Sequence, residues 1–354
     1  MRKLRKLGLL ALALVMLFTL VAACNGETAK TTASAPQSEK PAGTDAPADT
    51  DAPEKTDPPA GAKNKVALIL EGAISDMSWN ATAYEGLKKI EALGAEVHYT
   101  ENTPASAGGD AIRTFADDGY NVIFLSSNSY QDVGAEVAKE YPDVQFFMIN
   151  STVTEPNVRS FAIQDAEQGY LMGALAALLT KSNKVGFIGG LPINPIINGG
   201  KGFAQGAAYV NEDVEVLSEN TGNFDDVAKA KELARAFVGR GADVLAPMAN
   251  QASLGVMEAA EEEGVKGIGS GLNQETVAKT QAVVAIVKDT SIAYEAAYKA
   301  FLEGNMPEEV LPMGAAQGVV YIGDYYIEVP DEVKAELEAI YEKLASGEIK
   351  IDLD

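Results

Sequence analysis

The chain has 354 residues, 51 acidic side chains against 28 basic ones, a formal net charge of −23, and one cysteine and one histidine. So acidic a surface repels nucleic acid and anionic lipid headgroups, and a lone cysteine leaves no partner for an intrachain disulfide. A single histidine, His98, in a stretch that reads as an ordinary strand, leaves out Cys–His chemistry and most zinc sites.

From the N-terminus, Arg2, Lys3, Arg5 and Lys6 precede an apolar run over residues 7–21, the pattern of an export signal. The run is shorter than the ~20 residues a permanent span needs. Val21-Ala22-Ala23 then lead into the only cysteine, Cys24. This stretch resembles a bacterial lipobox, which implies a signal peptide over 1–23, acylation at Cys24 (diacylglycerol and palmitate), and a place on the extracytoplasmic face of the cell membrane. Residues 25–65 contain no Val, Leu, Ile, Met or aromatic side chain and repeat phrases such as Thr44-Asp45-Ala46-Pro47 and Thr50-Asp51-Ala52-Pro53. Such a segment cannot bury enough apolar surface to fold. It reads as a disordered linker over 24–63, about 40 residues long with ends on the order of 35 Å apart.

Beyond it, short apolar runs alternate with amphipathic stretches, the pattern of α/β folds with parallel sheets covered on both faces. Strands are expected at 66–70, 97–99, 122–126, 144–149 and 158–163, with helices at 78–93, 108–117, 130–140 and 164–179 between or after them. A second series starts at 184–190 and continues with strands at 214–218, 244–246, 265–268 and 283–287. Its helices are expected at 199–210, 225–239, 253–263 and 290–303. Two short strands, 318–322 and 325–328, precede a last helix at 330–345. Two glycine segments, Gly199-Gly200-Lys201-Gly202 and Gly267-Ile268-Gly269-Ser270-Gly271, lack the full phosphate-loop and dinucleotide fingerprints and read as loops at element ends. Two doubly wound units invite a ligand outside the carboxyl ends of their strands. The loops there offer Glu71, Asp76, Trp79, Asn80, Asn128, Asn150, Asn250, Asn273 and Lys288, with Phe224 before the helix at 225–239.

Here an ordered set of motifs appears: Ser75-Asp76-Met77-Ser78-Trp79-Asn80, Tyr84-Glu85-Gly86, Tyr141-Pro142-Asp143-Val144 and Gly169-Tyr170-Leu171-Met172-Gly173. Residues 184–190, Gly202-Phe203-Ala204-Gln205-Gly206, Phe224-Asp225-Asp226, Gly241-Ala242-Asp243-Val244 and Lys288 follow in the same order. The set resembles the basic membrane protein family, lipid-anchored substrate-binding proteins of ABC importers best known for purine nucleosides. The resemblance implies a type I periplasmic-binding-protein fold. Lobe 1 would comprise 64–164 and 288–312 and lobe 2 165–287 and 313–354, with three crossovers and a ligand cleft between them. It implies that Trp79 and Phe224 stack on the two faces of a base, each with core packing as the plainer reading. Asp76 and Asn80 would hydrogen-bond the ligand or hold their loop, and Asp76 is also well placed to cap the helix that follows. Lys288 would contact the ribose, unless it is a solvated surface charge.

Three positions depart from the family pattern. Gly271 stands where the family commonly has an aspartate for ribose hydroxyls, Asn150 where many relatives carry aspartate, and Asn250-Gln251-Ala252-Ser253 replaces a glycine-rich turn. A purine nucleoside stays the first expectation, with a free purine base, a modified nucleoside or an unrelated aromatic metabolite beside it. The function expected is that of a non-enzymatic, cofactor-free, monomeric receptor working with ABC permease and ATPase subunits. Two other classes stand beside it: a ligand-sensing, regulatory surface lipoprotein of the same fold, and a carboxylate-dependent hydrolase that turns over a bound compound.

Overall fold

The structure, a computed structural model, describes residues 63–354 except Asn273. The expectations for the signal peptide, Cys24, most of the linker and Asn273 thus lie outside the described residues.

The first sheet runs β11-β5-β4-β3-β1-β2, all parallel. Its strands are β1 (Lys65–Ile69), β2 (Glu96–Thr100), β3 (Val122–Leu125), β4 (Gln145–Ile149), β5 (Val158–Ile163) and β11 (Leu311–Met313). The two-residue period of a strand sends alternate side chains to opposite faces, and both faces here are apolar. Val66, Leu68, Phe124 and Phe147 pack with Leu87 and Ile90 of α1 (Trp79–Ala92) and Tyr294 of α8 (Thr290–Leu302). Ala67, Ile69, Ile123 and Met148 face Ile112 of α2 (Ala105–Asp117) and Val137 of α3 (Gln131–Ala138). His98 lies in β2 with its ring beside Phe115 and Tyr120.

The second sheet repeats the plan in the order β12-β10-β9-β8-β6-β7. Its strands are β6 (Lys184–Gly189), β7 (Glu215–Asn220), β8 (Val244–Met248), β9 (Lys266–Gly269), β10 (Ala282–Lys288) and β12 (Val320–Tyr325), and only β12 runs antiparallel. One face packs on α4 (Asp165–Leu179), α5 (Asn194–Val210) and α9 (Asp331–Ala345), the other on α6 (Val227–Gly239) and α7 (Ser253–Glu263).

Three expectations are corrected. Gly199 and Gly202 are not in a loop: α5 begins at Asn194 and both lie inside it. A Cβ at Gly169 or Gly173 of α4 would collide with the carbonyl oxygens of Gly199 and Phe203. One at Gly202 or Gly206 would collide with those of Ala166 and Tyr170, so the two helices meet backbone to backbone along a glycine seam. The two short strands expected at 318–322 and 325–328 are the single strand β12. Finally, β11 was not expected; it is three residues long, with Pro312 exposed.

The chain passes between the sheets three times: from β5 to α4, from β10 to α8, and from β11 to β12. These passages are stitched together. Gln164 N–H donates to the Met313 carbonyl (2.9 Å) and Asp289 N–H to that of Val319 (2.7 Å). The Glu167 carboxylate accepts from Ala315 N–H at 2.6 Å. Burial pushes the Glu167 carboxyl above its ordinary range, and that hydrogen bond partly offsets the push.

Candidate functional site

In each sheet the chain leaves its first strand for one neighbour and then returns to the other side, so β1 with β3 and β6 with β8 flank a point where successive loops diverge. Open parallel sheets hold ligands at such points. A cleft of about 450 Å³ lies there, lined from the side of the first sheet by Glu71, Trp79, Asn80, Asn128 and Asn150, and from that of the second by Phe224 and Asn250. Asp165 and Lys288, at two of the passages between sheets, complete its polar wall.

Trp79 is the first residue of α1 and is half-buried against the core. Its indole N–H donates to the Ser126 carbonyl at the end of β3 (2.5 Å), which fixes the ring plane. The Lys288 ammonium lies 4.9 Å from the ring centre, within cation–π range. Lys288 also pairs with Asp165, their side chains being 11% and 4% exposed. It is therefore no solvated surface charge. Asn150 completes this cluster: its amide donates to Asp165 at 3.0 Å and its carbonyl accepts from Ile163 N–H at 2.7 Å.

On the opposite wall, Phe224 sits just before α6, its carbonyl accepting from Ala252 N–H at 2.8 Å. Gly190 has no side chain to compete with the ring, since a Cβ there would collide with it. Glu71 accepts from the Ser127 hydroxyl at 2.6 Å, leaving its other oxygen without a partner among the described hydrogen bonds. Five non-glycine residues have left-handed backbone among those described, and three of them, Asn102, Asn150 and Asn250, line the cleft. Asparagine tolerates that region better than most residues, and strained backbone of this kind concentrates at functional sites.

Asp76 does not line the cleft. Its carboxylate is buried and accepts from the backbone N–H groups of Ser78 (2.9 Å), Asn80 (2.9 Å) and Ala81 (3.0 Å) and from the Asn80 side-chain amide (2.8 Å). It thereby satisfies the unpaired donors at the start of α1, and burial nonetheless pushes its carboxyl above the ordinary range. Asn80 is held between this carboxylate and Gly72 N–H, which it accepts at 3.3 Å. Gly271 is buried outside the cleft lining.

Sequence reasoning missed Asp165, because a carboxylate in the first turn of a helix already has a sufficient role there. It also missed the apolar wall of Leu191, Ile193, Pro195 and Ile196. Pro195 at the first turn of a helix was the available signal for the earlier start of α5. Among the described residues, no group of three or more His, Cys, Asp or Glu could hold a metal ion, and no helix is long and apolar enough to cross a membrane.

Comparison with known proteins bears on the family and the fold. Residues 63–353 match the Bmp family, described as ABC transporter substrate-binding protein PnrA-like. A purine-binding protein of Brucella abortus is 28% identical over 291 residues, covering 81% of this chain and 82% of its own. The ABC transporter nucleoside-binding protein BmpA of Lactococcus lactis is 34% identical over 204 residues, 56% of this chain and 58% of its own. Among solved structures, an ABC transporter solute-binding protein of Conexibacter woesei superposes with a TM-score of 0.70 at 26% identity, covering 82% of this chain and 98% of that one.

Proposed function

The chain belongs to the Bmp family of PnrA-like ABC transporter substrate-binding proteins, and from that premise we propose that it captures a purine nucleoside or nucleobase between its lobes and delivers it to a membrane permease. The observation that carries this reading is the pairing of Trp79 and Phe224, one from each lobe, on a cleft whose polar lining includes several amides and the Lys288–Asp165 pair. Base–aromatic stacking contributes about 1–3 kcal/mol per base. The printed names of the Brucella and Lactococcus relatives support a purine or nucleoside ligand. Glu71, Asp165 and Asp225 outnumber the one lysine in the lining, which favours a neutral ligand over a phosphorylated one.

In this reading Lys288, Asn80, Asn128, Asn150 and Asn250 fix the polar edge of the ligand, and binding to both lobes closes the hinge. The protein acts without catalysis, as a monomer anchored to the cell membrane through Cys24, and the ATPase subunits beside the permease drive uptake. The test is thermal unfolding of the full chain with adenosine, inosine, guanosine, their free bases and their monophosphates. A true ligand at 100 times its Kd stabilises by about 2.7 kcal/mol. Nucleosides or bases should raise the melting temperature and monophosphates should not; no response to any nucleoside or base would remove the purine assignment.

A further inference from the structure

The loop after β9 meets the turn before α1, so main chain from one lobe touches main chain from the other. Leu272 N–H donates to the Met77 carbonyl at 2.6 Å. Between them Gly271 has no room for a side chain: a Cβ would collide with that same carbonyl oxygen and lie 3.0 Å from both Cα and Cβ of Ser78. Gly271 is not in the left-handed region, so closeness of approach and not backbone conformation is what requires glycine here.

Both ends of this contact are fixed to their own lobes. On the second lobe, Ser270 N–H donates to the Gln274 side chain (2.9 Å). The Gln168 amide of α4 donates to the Ser270 carbonyl (3.1 Å) and to that of Ile286 in β10 (2.7 Å). On the first lobe, the Asp76 carboxylate ties the turn to α1, and Met77 takes a left-handed backbone with φ 55°. Trp79 follows two residues later. A hydrogen bond joining two such anchored segments must break when the lobes separate.

We propose that Gly271 is a positioning residue for ligand capture: by presenting no side chain, it lets the loop press its backbone onto the Met77 turn, where the Leu272–Met77 hydrogen bond latches the closed cleft. The position where the family resemblance implies a hydroxyl-binding aspartate thus serves closure here. The latch forms whenever the lobes close, which ligand favours but does not require, so its loss shortens residence and leaves encounter nearly unchanged. As a statement about ligand retention, this rests on the purine reading above.

Trp79 is the only tryptophan in the chain, so its fluorescence reports on both latch and cleft. In stopped-flow measurements with adenosine, inosine and hypoxanthine as probes, Gly271→Ala should release a bound probe roughly tenfold faster, the equivalent of one hydrogen bond, with association within about twofold of wild type. Leu272→Pro, which removes the donor, should reproduce the effect. Unchanged dissociation in both variants, or a change confined to association, overturns the latch. If wild type responds to no probe, the purine reading fails, and amide exchange in the unliganded protein decides the latch. Slower exchange at Leu272 in wild type than in Gly271→Ala supports it, and equal exchange overturns it.

Discussion

Two residues three positions apart, Asp76 and Trp79, have different work although both belong to the same recognisable motif. Asp76 holds three backbone N–H groups at the start of α1 and is not part of the cleft lining; Trp79 is. Replacing Asp76 by Ala leaves those donors unpaired in a buried setting, at roughly 1–3 kcal/mol. The expected result is a lower denaturation midpoint in urea. Trp79→Ala removes a stacking surface, expected to weaken binding of the responding purine by about 1–3 kcal/mol, and because the ring also packs on the core the binding is measured at a temperature where the variant is folded. If calorimetry showed Trp79→Ala binding as tightly as wild type, the stacking role would be wrong. The motif was legible in the sequence, but the division between cap and contact was not. Both readings of Asp76 satisfy the same local pattern, and only the partners of its carboxylate separate them. Asp165 was hidden for the related reason that an acidic first-turn residue needs no ligand to explain it.

At the scale of elements, the parallel sheets were legible because their strands are short and apolar on both faces, as Val66, Leu68, Ala67 and Ile69 are in β1. Amphipathic helices such as α6 separate them with a capping aspartate, Asp226, at the start. The errors have physical causes. Glycine in a helix interior is disfavoured by about 0.5–1 kcal/mol relative to alanine, so Gly199-Gly200-Lys201-Gly202 reads as a loop until α4 is seen lying against it. β11 is too short for a periodic signal, and its exposed proline speaks against a strand everywhere except an edge, where it lies. The seam between α4 and α5 gives a direct prediction. Gly173→Ala would drive a methyl group into the Phe203 carbonyl and should destabilise by roughly 1–3 kcal/mol, as overpacking does. Gly239→Ala, at the end of α6 where a Cβ meets nothing, should be neutral or slightly stabilising. Chemical denaturation of the two variants beside wild type decides between backbone contact and simple helix propensity, which would make both changes favourable.

For the whole molecule, function depends on place as much as on the cleft. A captured solute reaches a permease more often if its receptor is held at the same membrane, because a tether sets a high effective concentration when its length matches the span. The proposal of a membrane-held receptor rests on the sequence reading of residues 1–23 as an export signal followed by Cys24 and of residues 24–63 as a linker. Acylation at Cys24 and insertion of the apolar run at 7–21 are two physically different anchors, and one substitution separates them. Cys24→Ser removes the thiol that would carry lipid but leaves the apolar run intact. If lipid is the anchor, the full-length variant should leave the membrane fraction and appear in the medium or the soluble envelope fraction. Its melting-temperature response to adenosine or hypoxanthine should match that of wild type, because neither Trp79 nor Phe224 is altered. Retention after an alkaline wash would identify residues 7–21 as the anchor. A loss of ligand response together with release would mean that acylation supports the cleft itself and that anchor and clamp are not separate. Uptake in cells should fall even with wild-type affinity, since the receptor would then meet its permease only at its concentration in free solution.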